Sequence, residues 1–559
     1  MKKLMLAMLG LMLAIFLVAC GDNDTPQTNE GNDGNQPETT EVAPNDDDEE
    51  PAPSGETRRV TTALQASAVQ TFRDGDTFYE NLWTRLIYDQ LNIEVDVIFT
   101  ADSSTDAYMN QMNLLLASGD LPDVLRHDSR EWFHEAVNAG LVMDITDYFQ
   151  RYASPEVLAF MERYPESFEG VTVDGRLYGF PFMNNNFHNA SYLWLRDDWL
   201  EYAGGVPPQT VDELVEMALL FANGDPGNNG GDSFGLTLGD IVTRNNFGSI
   251  GGLLAAFGVP NHGSAGVFFH GEDGTVTHSF VQPAVRDALE VMHELFLAGA
   301  IDPEFIVKDL NALETDFALG RQGMTFHMNW GTWHPFNSVL IEEGVITRPH
   351  PIPTVDGITP RHGIRNNSMT EYFVISADAP HPGAIIEIIN LYYEVAVAGT
   401  QDQFLTYWAD EQYRLSPIFI GIPGENFAVD VIGALEAGSC DDLVGQALAY
   451  CEFVIAFEDG SMGEDLNAYG TWGQMFEYGS MRIALDAQAR GELVEDIMAG
   501  YVPEVWLQNE SQLTDHVNVN FVHFITGQRS LDEFDDFVEE WMNMGGRQVL
   551  EEMTSLYPQ

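Results

Sequence analysis

The feature that most constrains the fold is an alternation of strand and helix patterns early in the chain. Residues 60–66 have the apolar character of a strand, and every second residue of 93–100 is apolar. Segments 76–91 and 104–118 carry apolar residues at helical spacing, and a third short strand is predicted at 122–125. This β-α-β-α-β order predicts a parallel sheet with right-handed crossovers, and therefore an α/β fold.

The residues that follow the third predicted strand are the first candidates for a binding site. In open parallel sheets, ligands bind beyond the carboxyl ends of the strands. That position holds hydrogen-bonding groups and one aromatic ring: Arg126, His127, Asp128, Arg130 and Trp132. Such a mixture suits a rim that binds a polyhydroxylated ligand such as a sugar. The alternative is a solvated loop in which Trp132 anchors the next helix.

The start of the chain has the pattern of a targeting segment. Lys2 and Lys3 precede an apolar run at 4–18, which is shorter than the roughly 20 residues that span a bilayer. The run ends in Leu-Val-Ala before Cys20, a pattern that resembles a bacterial lipobox. We therefore expect a signal peptide at 1–19 and a lipid on the Cys20 sulfur. The alternative is an ordinary signal peptide that contains a cysteine.

A segment of different composition separates this leader from the rest of the chain. Residues 20–57 are rich in Asp, Glu, Asn, Gly, Pro and Thr and have almost no large apolar residues after Cys20. Such a segment cannot bury enough surface to offset its ordering entropy, so we expect a disordered acidic linker. The whole chain has 24 basic and 87 acidic residues, a balance that disfavours nucleic acid as a partner.

The basic residues are almost all arginine. Lysine occurs only at Lys2, Lys3 and Lys308, so a mature chain without its leader keeps one. Arg stays protonated at a higher pH than Lys does. An acidic, lysine-poor exterior fits an alkaline or saline medium, and genomic base composition is the alternative explanation.

Two cysteines remain when Cys20 carries a lipid. Cys440 and Cys451 are therefore the one pair available for a disulfide, which an oxidising compartment outside the cytoplasm allows. The alternative is two buried free thiols.

Five segments in order resemble the family 1 extracellular solute-binding proteins, and most closely the large lipoproteins that include the alginate-binding proteins. The resemblance spans nearly all of the chain after the linker. Lysines of the family pattern are repeatedly Arg or Gln here. The matching segments are 115–124, 175–181, 194–213, 317–331 and 525–534.

This resemblance implies an α/β fold of two lobes, the type II periplasmic-binding-protein-like fold, with a hinge and a ligand cleft between the lobes. The chain is expected to cross between lobes near 180–182 and again near 371–375. The expected first lobe consists of 58–181 and 375–500, and the expected second lobe of 182–374 and 501–559.

The resemblance also suggests ligand-binding residues. The maltose-binding branch of the family stacks aromatic rings on sugar faces. Segment 327–333 matches one of its loops and places Trp330 at the stacking position, and the segment that ends at His127 matches the other. A core role is the alternative for Trp330. Further candidates are Asn184, Asn185, Trp194 and Trp472.

One family motif is altered. Members near the alginate-binding branch carry a calcium loop that resembles the segment from Asp225 to Ser233. Here one position is missing, and Ser233 replaces the final acid. Asp225, Asn229 and Asp232 still offer oxygen ligands, so calcium is one possibility and a plain glycine turn is the other. No other cofactor is expected.

The resemblance implies an extracytoplasmic, lipid-anchored, monomeric lipoprotein that captures a sugar or oligosaccharide and delivers it to the permease subunits of an ABC-type importer. No catalytic residues are expected. His134-Glu135 and His293-Glu294 lack the second histidine of a metalloprotease helix. The alternatives are a secreted glycan-active enzyme and a cell-surface adhesin or sensor.

Overall fold

The computed structural model describes residues 55–558, apart from gaps within that range. Residues Thr57–Gln559 form one compact unit. The predicted signal peptide, Cys20 and most of the acidic linker lie outside the described residues. Within the described part, no helix is long and apolar enough to cross a membrane. The gaps are at 67–71, 74, 103–106, 128, 164, 184–189, 245, 272, 365–368, 409–411, 422–423 and 500–502.

The first half of the first lobe alternates strands and helices, as the sequence predicts. The first helix begins at Leu82 rather than near 76, because the Asn81 side chain caps it by accepting hydrogen bonds from the backbone N–H groups of Trp83 and Thr84. The elements are β1 Arg58–Ala66, α1 Leu82–Leu91, β2 Ile93–Asp102, α2 Ala107–Ser118, β3 Val124–His127, α3 Arg130–Asn138, α4 Thr146–Tyr152, α5 Pro155–Arg163, α6 Pro165–Glu169, β4 Thr172–Val173, β5 Arg176–Leu177 and β6 Phe180–Met183.

The next part of the chain builds a second, smaller sheet with helices around it. The Thr210 side chain caps α8 in a capping box with Glu213, as the sequence predicts. The elements are β7 Tyr192–Arg196, α7 Asp197–Tyr202, α8 Val211–Gly224, α9 Gly251–Ala256, β8 Phe268–His270, β9 Val276–His278, α10 Ala284–Leu297, α11 Leu310–Ala318, β10 Met324–His327, α12 Phe336–Glu343, β11 Thr347–His350 and β12 His362–Ile364.

The remainder of the chain is mainly helical. It returns to the first sheet with one strand, and a second predicted capping box, Ser530 with Glu533, is present near the end. The elements are β13 Met369–Ile375, α13 Pro382–Tyr392, α14 Gln401–Tyr407, α15 Gly424–Ala437, α16 Gly445–Glu458, α17 Leu466–Met475, α18 Ser480–Ala489, β14 Leu493–Glu495, α19 Glu504–Thr526, α20 Phe534–Trp541 and α21 Arg547–Leu556.

Strand direction brings five strand ends to one edge of the first sheet, whose order is β2-β1-β3-β13-β6. β1 runs parallel to β2 and β3, so their carboxyl ends lie at the same edge. β13 is antiparallel to β3 and to β6, and Tyr372 pairs with His127. The first residues of β13 and the last residues of β6 therefore lie at that edge too. We call it the first edge.

The second sheet has a corresponding edge. Its order is β10-β7-β11, and both outer strands are antiparallel to β7. His327 at the end of β10 pairs with Tyr192 at the start of β7, and His350 at the end of β11 pairs with Leu193. The start of β7 and the ends of β10 and β11 thus define a second edge. Residues 184–191 connect the first edge to this one.

The chain crosses between the sheets at slightly different places from those expected. β6 and β13 are strands of the first sheet over their whole lengths. The first crossing therefore follows Met183, next to the expected 180–182, and the second precedes Met369, next to the expected 371–375.

The helices between 424 and 489 also differ from the expected division. Helices α15–α18 share a hydrophobic cluster with Tyr192 and Trp194 of β7. The buried apolar residues in segments 372–397 and 413–420 pack instead with the core of the first sheet. The packing therefore places α15–α18 with the second sheet, whereas the sequence predicted 375–500 in the first lobe.

Lys308, the one lysine beyond the predicted leader, lies between two aspartates. The Lys308 ammonium group contacts the carboxylates of Asp302 and Asp316, and both aspartates are buried. Arg321 adds a second ion pair to Asp316 at 3.0 Å. Because an unpaired buried carboxylate is costly, this position has a physical reason to retain a cation.

Candidate functional site

Three of the predicted ligand-binding residues lie at or next to one of these two edges. Arg126 and His127 end β3 at the first edge, and Glu371 lies there at the start of β13. Trp330 follows β10 at the second edge. Arg126 and His127 therefore lie at the end of β3 and Trp330 lies in the loop after β10, and strand ends are where open α/β sheets bind ligands.

Arg126 is held by protein groups. Its Nε lies 2.9 Å from a carboxylate oxygen of Glu371, and the two side chains are 12% and 10% exposed. The guanidinium group also donates a hydrogen bond to the Gln65 side chain at the end of β1, and it lies 5.5 Å from the ring centroid of Phe419. Arg126 thus ties β1, β3 and β13 together at the first edge.

His127 and Trp132 are packed against each other rather than presented to solvent. Their rings stack at 4.5 Å with an interplanar angle of 8°, and they are 1% and 3% exposed. The Ser129 side chain caps α3 by accepting from the Trp132 N–H. Burial, and then the charge of Arg126, lowers the pKa of His127 to about 3, so this histidine is neutral near pH 7. The alternative that Trp132 anchors the helix fits this packing.

Four other predicted rim residues carry no structural description. Asp128, Asn184 and Asn185 lie outside the described residues, and the same holds for the side chain of Arg130. Their proposed contacts with a ligand stay predictions.

Trp330 is a partly exposed aromatic residue in the loop that follows β10. Its ring lies edge-on to His327, with centroids 4.4 Å apart, and is nearly parallel to His334 at 6.4 Å. Its indole N–H points at the Met328 sulfur, 3.3 Å away. A partly exposed indole can pack on the C–H face of a sugar, and a stacking role for Trp330 stays a prediction.

The loop that carries Trp330 packs against α17 and the start of α18 and forms hydrogen bonds with both. The Asn329 carbonyl accepts a hydrogen bond of 2.7 Å from the Ser480 hydroxyl, and the Thr332 hydroxyl donates to the Gly470 carbonyl at 3.0 Å. A Cβ on Gly473 would lie 2.3 Å from the Thr332 side chain, so glycine is required for this close approach.

Sequence reasoning did not identify this support. A detectable signal exists, because Gly470 and Gly473 are three residues apart and therefore share a face of α17. Two glycines on one helix face mark a place where another segment approaches the backbone closely. A single sequence does not show which segment that is.

Two tryptophans predicted as ligand contacts lie in the protein core. Trp194 is 0% exposed, and its indole N–H donates to the Met328 carbonyl at 3.1 Å. Trp472 is 3% exposed, stacks on Phe476 at 4.3 Å and lies beneath the Arg348 guanidinium group at 4.8 Å. Neither ring presents a face to solvent, so we do not carry them into the proposed site. Trp194 lies on β7, whose five residues are all buried.

Cys440 and Cys451 are bonded to each other, with their Cα atoms 6.0 Å apart. The bond connects the turn after α15 to α16. Since α16 packs against α17, the disulfide braces the same helical group that supports the Trp330 loop.

The altered calcium motif forms a turn around Asp225. The Asp225 carboxylate accepts hydrogen bonds from the backbone N–H groups of Asn229, Gly230 and Gly231 at 2.9–3.0 Å and from the Ser233 hydroxyl at 2.6 Å. The Ser233 hydroxyl and these amides hold the pKa of Asp225 below its usual value. All four donors direct positive hydrogen-bond ends at the carboxylate.

These contacts do not fit a calcium site. Calcium requires six to eight oxygen ligands, whereas here the central carboxylate already serves N–H and O–H donors. The Asn229 amide nitrogen donates to the Gly320 carbonyl at 2.6 Å, and Asp232 is exposed. Across the described part of the chain, no three His, Cys, Asp or Glu side chains are grouped so that they could hold a metal ion.

Comparisons with known proteins agree with this architecture. The chain is 23% identical over 468 residues to lipoprotein LipO from Bacillus subtilis (strain 168), which covers 83% of this chain and 86% of LipO. It is 26% identical over 243 residues to the fructooligosaccharide ABC transporter substrate-binding protein FusA from Streptococcus pneumoniae serotype 4, a match that covers 41% of this chain and 43% of FusA.

Solved structures show the same fold. The structure of FusA in complex with kestose matches with a TM-score of 0.62 at 17% identity, over 89% of this chain and 99% of that one. The alginate-binding protein AlgQ2, in a structure without calcium ion, matches with a TM-score of 0.58 at 16% identity, over 90% of this chain and 98% of that one. These similarities confirm the predicted two-lobed α/β fold.

A family model covers more than half of the chain. Residues 70–398 match the model of the bacterial extracellular solute-binding proteins. That range includes β3 with Arg126, β13 with Glu371, the whole second sheet and the Trp330 loop. The chain belongs to the family of bacterial extracellular solute-binding proteins.

Proposed function

We propose that this protein captures a sugar or oligosaccharide at the junction of the two edges and delivers it to the permease subunits of an ABC-type importer. The observation that carries the proposal is the partly exposed Trp330 ring, on a loop that hydrogen-bonds to α17 and to the start of α18. Membership of the solute-binding family supports capture rather than turnover.

The chemistry of the junction suits a carbohydrate. A pyranose or furanose ring has C–H faces that pack on an aromatic ring and hydroxyl groups that exchange hydrogen bonds with polar side chains. Trp330 supplies the aromatic face. Arg126 and Glu371 supply a fixed donor and acceptor at the first edge. The names of relatives support this class of ligand, since FusA is named for fructooligosaccharides and AlgQ2 for alginate.

We expect the two lobes to close on the ligand. A ligand that touches both edges gains contacts only when the lobes approach, and this difference in contact drives closure.

We also propose that Cys20 anchors the protein to the outer face of the cell membrane as a lipidated monomer. The lipobox pattern supports this, and the relative LipO is named as a lipoprotein. The acidic linker would then hold the folded part away from the membrane surface. A secreted glycan-active enzyme remains the second candidate, and a turnover assay separates the two.

The first test is a thermal-shift screen of the mature chain against a glycan library. A ligand that binds only the native state raises the melting temperature. We expect at least one sugar or oligosaccharide to do so and to be recovered chemically unchanged after long incubation. Cleavage of that glycan would favour the enzyme, and a library without any stabilising member would contradict the proposal.

The second step uses the glycan identified in that screen. Trp330→Ala should weaken its binding by about 2 kcal/mol, or roughly thirtyfold, because an aromatic anchor often dominates binding energy. Calorimetric titration gives the affinity, and a melting curve checks the fold. Trp330→Phe should recover part of the loss, since a smaller aromatic face remains.

A matched control is Tyr202→Ala. Tyr202 is 49% exposed and lies at the end of α7, away from the second edge, so its loss should leave affinity unchanged. Unchanged affinity in Trp330→Ala would remove that residue from the site. A large loss of thermal stability in Trp330→Ala would indicate a core role instead.

Processing at Cys20 is tested by mass spectrometry of the mature N-terminus. We expect the mature chain to begin at Cys20 with a mass that includes a diacylglycerol, and Cys20→Ala to appear in the soluble fraction. An unmodified mature N-terminus at any other residue would contradict the anchor.

We further propose that the turn at 225–233 is stable without calcium. Calcium and a chelator should leave the melting temperature of the wild type unchanged. Asp225→Ala should lower it equally in both conditions, because four loop hydrogen bonds lose their acceptor. Asp232→Asn is the control and should have little effect, since Asp232 is exposed. A calcium-dependent rise that Asp232→Asn abolishes would show a functional metal loop.

A further inference from the structure

A cavity in the second lobe lies between two helices and is lined by none of the ligand-binding residues that the sequence predicts. It has a volume of about 380 Å³ and is bounded by α11, by α12 and by the end of the loop that carries Trp330. Small-molecule sites in proteins have volumes of about 300–1,000 Å³. The cavity is therefore large enough for a small ligand, and every residue that lines it belongs to the described part of the chain.

Helical spacing places most of the cavity lining on two helix faces. Residues 311, 314, 315 and 318 are three or four positions apart where they follow one another on one face of α11. Residues 335, 338 and 342 are related in the same way along α12 and the residue before it. The two helices contact each other, and the cavity is the space that their side chains leave open.

The cavity combines an apolar floor with a polar rim. Ala318 is 6% exposed and Pro335 is buried, so these two residues form the floor. Small-molecule sites commonly pair an apolar surface with a few polar groups that set the orientation of the ligand. The polar residues of the lining are Asn311, Glu314, Thr315, His334, Ser338 and Glu342.

The polar groups of the cavity favour a ligand that donates hydrogen bonds. The Thr315 hydroxyl donates to the Asn311 carbonyl at 2.8 Å, and the Ser338 hydroxyl donates to the Pro335 carbonyl at 2.7 Å. Each hydroxyl oxygen therefore meets a ligand as an acceptor, and the Glu342 carboxylate is an acceptor as well. The Asn311 side-chain amide both accepts and donates. A ligand that carries several hydroxyl groups fits this set.

The charge of the lining disfavours an acidic ligand. The lining residues, all of them described, include two glutamates and neither arginine nor lysine. His334 lies 2.9 Å from a Glu314 oxygen, so that carboxylate offsets any charge that the imidazole takes up. An ionised sugar acid would place a second negative charge near Glu342 without a cation to pair with it, which is costly.

One side chain borders both the cavity and the proposed stacking residue. His334 lines the cavity, and its ring is nearly parallel to that of Trp330, with centroids 6.4 Å apart. The His334 backbone N–H also donates to the Trp330 carbonyl at 3.2 Å, which fixes the turn between the two residues. Because neighbouring units of an oligosaccharide are joined through a single oxygen atom, a unit on Trp330 would bring the next unit close to the cavity.

We infer that the cavity between α11 and α12 accepts one uncharged sugar unit of an oligosaccharide whose neighbouring unit stacks on Trp330. This inference rests on the proposed function and deepens it, since it makes the ligand an oligosaccharide rather than a single sugar. Affinity then rises in a step at the chain length that first reaches the cavity.

The test measures affinity against chain length on the full mature chain carrying Cys20→Ala. Isothermal titration uses malto-, cello-, xylo-, manno- and fructo-oligosaccharides, each from the disaccharide to the hexasaccharide, and an acidic series of oligogalacturonates. In a neutral series that binds, one added unit should raise the affinity about tenfold, the gain that one or two net hydrogen bonds supply. We expect no such step with the oligogalacturonates.

Two variants test the cavity itself. Thr315→Trp fills it from an exposed position of α11, so it should remove the step and leave the affinity of shorter members unchanged. Asn311→Ala combined with Glu342→Gln removes polar groups without adding bulk and should reduce the step to about threefold or less. The matched control is Ile341→Trp, which adds the same side chain to α12 at a residue that is 64% exposed and does not line the cavity. This control should keep the full step.

Each other outcome has a distinct meaning. A step that survives in Thr315→Trp, or an equal loss at every chain length, would overturn the inference and leave the proposed function standing. A step among the oligogalacturonates that Thr315→Trp removes would overturn the uncharged class. Absence of binding in every series would overturn the inference, and the proposed function falls with it if the thermal-shift screen also finds no stabilising glycan. If a melting curve shows that Thr315→Trp does not fold, the double variant decides.

Discussion

The direction in which the strands pair is the constraint on which the proposed site depends. Parallel pairing of β1 with β2 and β3, and antiparallel pairing of β13 and β6, bring five strand ends to one edge of the first sheet. Backbone hydrogen bonding fixes this arrangement, since a register shift of one residue would send every side chain to the other face. The position of Arg126 beside Glu371 is a direct consequence.

The second edge depends on packing around a helix rather than on pairing alone. The Trp330 loop follows β10 but takes its shape from α17, where Gly470 and Gly473 permit close approach, and from the Ser480 hydroxyl. The helices that carry these residues are braced by the Cys440–Cys451 bond. The loop that carries Trp330, the proposed ligand contact, is thus held by residues more than a hundred positions later in the chain.

Local patterns predicted much of the fold. The α/β class was predicted correctly from the alternation of apolar residues along β2 and from the order of strands and helices. The capping boxes at Thr210 and Ser530 were also predicted, and the family motifs implied the two-lobed fold. The long-range packing was not predictable from one sequence. Trp194 and Trp472 carry the residue type of a sugar-binding ring, yet helices from distant parts of the chain cover them. The same applies to α15–α18, whose apolar faces fit either lobe until their partners are known.

The central claim is that one ligand touches both edges, and hydrogen–deuterium exchange tests it most directly. Exchange would be followed by mass spectrometry on the mature chain, with and without a saturating concentration of the glycan found by thermal shift. The account predicts slower amide exchange in two separate segments, 124–133 at the first edge and 324–333 at the second. Protection confined to one edge, or located away from both, would contradict it.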